Sequence, residues 1–87
     1  MGILRIDSNI ADNRLIVTGD VGQLLDSRRA IRFLKDNTDY ILSDGAIFIS
    51  ITDNLNKSID RVRTAAGYAK CDVELSGEAN EGIQSYI

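Results

Sequence analysis

The side chains able to do chemistry in this chain are ten aspartates, a single cysteine and two groups of arginines and lysines; histidine is absent. Without imidazole there is no Ser-His-Asp or Cys-His unit, and one cysteine makes no zinc cluster. Metal binding and cofactors are therefore not expected. The aspartates fall where aspartate serves turns and caps: Asp12 and Asp44 at hairpin tips, Asp26 and Asp53 at helix starts. Cys71 sits in an alternating strand pattern with no activating base nearby in sequence, so it reads as a small apolar residue. Thr18-Gly19-Asp20-Val21-Gly22 has the glycines of a phosphate loop but not its lysine, and reads as a strand exit.

The basic residues are patterned differently. Arg28, Arg32 and Lys35 recur at spacings of four and three with Arg29 beside them, and Lys57 and Arg61 repeat the spacing further on. On helices these would face outward as a surface for a DNA or RNA phosphate backbone. The competing reading is a solvated helix face tempered by Asp36 and Asp60. No catalytic residue is assigned.

These side chains need a scaffold, and the hydrophobic periodicity supplies one. Leu4, Ile6 and Ile10 alternate with polar residues, and Asp12-Asn13 offers a two-residue turn into Arg14-Leu15-Ile16-Val17-Thr18. That register pairs Ile10 with Leu15 and Ser8 with Val17. Gly19 and Gly22 end the strand, Val21, Leu24 and Leu25 form an apolar connection, and Asp26 caps a helix bearing Ala30, Ile31 and Leu34 that closes at Asn37. Asp44-Gly45 then predicts a type I′ hairpin with Leu42 opposite Ile47, Tyr40 opposite Ile49 and Ile41 opposite Phe48.

A second helix, capped by Thr52 or Asp53, sets Leu55, Ile59, Val62, Ala66 and Ala69 on one stripe. A strand from Cys71 to Leu75 follows, and Ser76 opens a third helix with Ala79, Ile83, Tyr86 and Ile87 on one face. The order ββαββαβα predicts an α/β (α+β) fold, a mostly antiparallel mixed sheet with two amphipathic helices on one face. Residues 1–75 form the small domain, and 76–87 begin a helix leading to a following region. Ile41, Phe48 and Ile16 are then left on the uncovered sheet face, where the third helix, the rest of the protein or a second copy would cover them.

With 44% hydrophobic and 26% charged residues and a net charge of -3, the chain has the composition of one small globular domain. Its apolar runs are far too short for a membrane span, no charged start followed by an apolar stretch and a small-residue cleavage site appears, and the lone cysteine fits a reducing compartment, so a cytoplasmic location with no membrane partner is expected. All ten basic residues lie between Arg5 and Lys70, whereas the segment from Cys71 onward holds only acids. A protein coating DNA by charge alone would carry a large positive excess, so any such role rests on the local stripe.

Val73-Glu74-Leu75-Ser76-Gly77-Glu78-Ala79, followed by Ile83 and Tyr86, resembles the end of the small α/β module that precedes the motor core in some bacterial superfamily 2 helicases of the DEAD/DEAH and Swi/Snf kind. The resemblance implies an N-terminal accessory domain that packs on the downstream domain of the same protein, or weakly guides nucleic acid, while ATP hydrolysis occurs elsewhere. None of the motor's catalytic residues lies in this chain. The other classes are a stand-alone protein-binding module, such as a phage-type inhibitor or antitoxin, and, last, an aspartate-dependent metal enzyme.

Overall fold

The computed structural model describes residues 2–76. Five strands, β1 (Gly2–Asn9), β2 (Arg14–Gly19), β3 (Tyr40–Ser43), β4 (Ala46–Ser50) and β5 (Cys71–Leu75), form one sheet in the order β3-β4-β2-β1-β5. Every neighbouring pair is antiparallel except β1 with β5. Helices α1 (Val21–Asp26), α2 (Arg28–Asn37) and α3 (Leu55–Tyr68) complete the α+β fold.

The core follows from strand alternation. Leu4 and Ile6, Leu15 and Val17, and Ile47 and Ile49 point to one side and are fully buried against Leu24, Ala30, Leu34, Ile59, Val62, Ala65 and Ala66 of the helices. The predicted stripe of α3, Leu55 through Ala69, is buried throughout. The α2 and α3 helices run antiparallel: Ser27 Oγ, at the start of α2, donates to Tyr68 O at 3.5 Å at the end of α3, and the Phe33 and Tyr68 rings meet at 6.0 Å. Gln23 of α1 adds a bond from Nε2 to Ala69 O at 2.9 Å, capping a carbonyl that the end of α3 leaves open.

The second hairpin has the expected form. Asp44 and Gly45 both adopt positive φ, 51° and 77°, and Leu42, Tyr40 and Ile41 face Ile47, Ile49 and Phe48. Four other details are corrected. The first turn is not Asp12-Asn13 alone: Asn9 pairs with Arg14, so Ile10 through Asn13 form the loop and Ser8, not Ile10, faces Leu15. A type I′ turn needs positive φ at both central residues, and only Asn13 (56°) provides it. Asn9 instead braces the loop, accepting from Asp12 N at 3.2 Å and donating to Asp12 Oδ2 at 2.8 Å. The register moves by two residues, which leaves the buried faces unchanged.

Val21 to Asp26, expected to be a connection, is the short helix α1. Asp26 therefore ends a helix rather than capping one, and Ser27 Oγ accepts from Ala30 N at 3.2 Å as the cap of α2. For α3 the cap is Asn54, whose Oδ1 accepts from Lys57 N at 2.9 Å, rather than Thr52 or Asp53. Asp53 is turned away by a positive φ of 61°. The expected third helix lies outside the described residues, apart from Ser76, whose N–H donates to Ile6 O at 2.9 Å.

Candidate functional site

Two surfaces emerge. The first is the sheet face opposite the helices. Because alternation sends Ile16, Phe48 and Ile41 to this side, and β2, β4 and β3 are neighbours with Ile16 opposite Phe48 and Phe48 opposite Ile41, the three form one cross-strand row. Ile16 and Phe48 are half-buried by their neighbours, and Ile41 at the sheet edge is 59% exposed. All three predicted interaction residues are thus brought together.

The remainder of that face is mostly polar. Asp7 stands opposite Ile16 and bounds the row, its carboxylate accepting from Ser8 N at 2.8 Å. Farther out, Arg5 and Glu74 approach at 3.9 Å with both side chains more than half exposed, an ion pair weakened by solvent. Ile3 lies beside them at 52% exposure. Asp7, Asp72 and Glu74 give this half of the face an acidic cast that spacing alone did not reveal, because it depends on β5 joining β1.

The second surface is the helix layer. Arg28, Arg29, Arg32 and Lys35 are all exposed on α2, and none has a side-chain partner among the described residues. Arg28, Arg32 and Lys35 line one shallow groove with Leu25 and Ile31; Arg29 and Arg32 line another with Phe33, Asn37 and Tyr68. Asp36 borders both, as the sequence anticipated.

Lys57 and Arg61 lie on the neighbouring helix. Because α2 and α3 are antiparallel, Lys57, eleven residues before Tyr68, lies toward the Lys35 end of α2 and about 16 Å along the axis from the Tyr68 end at 1.5 Å per residue. Arg61 is committed elsewhere, donating to Asp53 Oδ2 at 2.6 Å and to Thr52 Oγ1. That guanidinium holds the Asp53 carboxyl below the usual carboxylate range, chiefly through the hydrogen bond and then through charge. The same loop is fixed from inside by Ser58, fully buried, which accepts from Thr52 N and donates to Thr52 O, both at 3.0 Å. Sequence reading missed Ser58, whose place on the buried stripe of α3 was its only signal.

The other candidates for chemistry are structural. Cys71 is buried at the start of β5; desolvation first, and the Asp20 carboxylate second, push its thiol upward, away from thiolate character. Gly19 has a φ of 92°, and a Cβ there would lie 2.4 Å from Ile3 O, so glycine serves the strand exit. Asp20 then accepts from Ile3 N at 2.8 Å. Among the described residues, no three Cys, Asp or Glu side chains gather as metal ligands, and no helix is long and apolar enough to cross a membrane.

No protein-family model, curated protein or solved structure matches this chain.

Proposed function

We propose that this chain is a non-catalytic accessory module that docks by its open sheet face onto a neighbouring folded unit in the cytoplasm. The observation that carries the reading is the cross-strand row Ile16, Phe48 and Ile41, set on three adjacent strands with α1, α2 and α3, the helices among the described residues, on the other side. Apolar side chains aligned in this way offer a seat for a complementary apolar surface. The occupant is an amphipathic helix with an apolar stripe for the row and a basic flank for Asp7, Asp72 and Glu74. In the helicase setting implied by the sequence resemblance, that helix belongs to the downstream domain of the same protein.

The test is a titration of isotope-labelled protein with a synthetic Leu/Lys amphipathic helical peptide, followed by backbone amide shifts, beside a Leu/Glu peptide as control. Shifts centred on Ile16, Ile41 and Phe48 with the basic peptide, and their loss in Phe48→Lys, are expected. Shifts on α2 instead, or none, overturn the reading.

A second reading has its own support in the four basic side chains of α2 that have no side-chain partner among the described residues. They form a weak phosphate-backbone surface, with binding insensitive to sequence and falling with salt at a log-log slope of about 0.9 per phosphate neutralised on duplex DNA. Labelled duplex, forked and single-stranded DNA titrated at two salt concentrations test it. The Arg28→Glu, Arg32→Glu double variant should lose binding; equal binding by the variant, or none by wild type at low salt, leaves α2 as a solvated face.

A further inference from the structure

We propose that β3 is a dimerisation edge, pairing antiparallel with β3 of a second copy of this chain about a twofold axis at Ile41. The pairing uses backbone groups at the sheet edge and does not rest on the open-face reading above.

β3 is the terminal strand of the sheet, bonded to β4 on one side only. In an antiparallel ladder, hydrogen-bonded and non-hydrogen-bonded pairs alternate. Ser43 and Ala46 flank the two-residue turn, and Asp39 O accepts from Ser50 N at 3.0 Å, so positions 39, 41 and 43 face β4. The N–H and C=O groups of Tyr40 and Leu42 consequently point outward.

Natural edge strands discourage such pairing with charges, proline or bulges. The opposite edge, β5, does so with exposed Asp72 and Glu74. β3 has none of these devices within Tyr40–Ser43; Ile41 and Leu42, on opposite faces of the strand, are 59% and 51% exposed. Its only charges, Asp39 and Asp44, lie just beyond its ends.

The outward groups of Tyr40 and Leu42 fit a second copy of the same strand in one register. Centred on Ile41, antiparallel pairing sets Tyr40 against the partner's Leu42 and Leu42 against the partner's Tyr40, so both outward residues of each strand find their hydrogen bonds. Ile41 packs on its symmetry mate at the close, non-hydrogen-bonded position. Asp39 then faces the partner's Ser43, and Asp44 faces the partner's Thr38, so no like charges stand directly opposite. The neighbouring registers that keep outward groups opposed, centred on Tyr40 or on Leu42, set Leu42 against the partner's Thr38 or Tyr40 against the partner's Asp44, beyond the strand in both cases. The twofold also joins the two open-face rows end to end, giving one apolar band of six side chains across a ten-stranded sheet.

Sedimentation equilibrium over a wide concentration range tests the proposal, with amide hydrogen exchange on the same samples. The expected result is a concentration-dependent doubling of the 9.6 kDa mass, with protection of the Tyr40 and Leu42 amides rising in step. Leu42→Pro removes an outward N–H that the internal ladder does not use, and Ile41→Lys adds an edge charge; both should remain folded and monomeric. Phe48→Lys, away from the edge, should still dimerise even where it abolishes peptide binding to the face. A wild type that stays monomeric into the millimolar range overturns the proposal. So does a dimer in which the Tyr40 and Leu42 amides exchange freely, a result readable on wild type even if a variant fails to fold.

Discussion

Leu15, Ile16 and Val17 are consecutive aliphatic residues on one strand, yet the outer two are fully buried beneath helices and the middle one is only half covered. The same division runs through β4, where Ile47 and Ile49 are buried and Phe48 between them is not. Residue type does not distinguish the two faces. What does is the placement of α1, α2 and α3 on a single side, so that one set of side chains gains full removal from water and the other gains only cross-strand neighbours. The difference locates stability on the covered face and leaves the open face able to change without unfolding the domain.

The sharpest way to break this comparison is to place a charge on each face. Ile59→Asp or Val62→Asp would bury an unpaired carboxylate among the helix and sheet contacts, with an expected loss of about 4 kcal/mol or more, enough to unfold most of the population. Ile16→Asp should cost far less and leave the melt cooperative. Urea unfolding of the three variants decides the matter, and near-wild-type stability of the α3 variants would contradict the assignment of the covered face.

Truncation gives a milder version. Leu15→Ala should destabilise by about 2–5 kcal/mol through lost burial and the cavity left behind, whereas Ile16→Ala, already half in water, should lose about 1 kcal/mol. Equal losses would mean that something else covers the open face in the free protein.

Two buried serines on the covered side sharpen the contrast further, because only one is satisfied. Ser58→Ala would strand the Thr52 amide and carbonyl that its hydroxyl serves, at a cost of about 1–3 kcal/mol. Ser8, buried and paired across the strands with Leu15, has no hydrogen-bond partner for its Oγ among the described residues. Ser8→Ala should therefore be neutral or stabilising by up to about 1 kcal/mol. Thermal melts check both: Ser58→Ala should melt below wild type, and Ser8→Ala at or above it.

The smallest expected effect lies at the exposed Asp53–Arg61 pair, outside either face. Its folded-state pKa is held below the unfolded value, so its contribution is present above the unfolded pKa and is lost as pH falls through the folded one. Asp53 is half exposed and screened, so the effect is small. The difference in melting temperature between wild type and Arg61→Leu should narrow only below about pH 4. A difference that narrows near neutral pH would implicate another group.

Which residues become buried was largely legible in the chain, because periodicity is a local property. The stripe from Leu55 to Ala69, the Asp44-Gly45 hairpin with its pairs, and the alternation of β1 and β2 follow from 3.6- and 2-residue repeats and from turn chemistry. The identity of the caps was less legible. Asp26, Ser27, Thr52, Asp53 and Asn54 can all cap in principle, and the choice of Ser27 and Asn54 depends on backbone angles imposed by neighbours, such as the extra helix α1 and the positive φ of Asp53. The first turn was misread for a similar reason. Asn13 is held by contacts to Ile51, 38 residues away, which no local rule contains.

For the surfaces, sequence alone determined that Arg28, Arg29, Arg32 and Lys35 share a helix and that Ile41 and Phe48 face one another, since both depend on spacing within a single element or hairpin. Tertiary structure decided that Ile16 completes their row, that α2 and α3 run antiparallel and that Arg61 is tied to Asp53. It also decided that an apolar strand, β3, stands at one edge of the sheet while an acidic one, β5, stands at the other. Strand order and helix direction are set by the simultaneous burial of many distant residues in one core, and that collective condition is written in no single stretch of the chain.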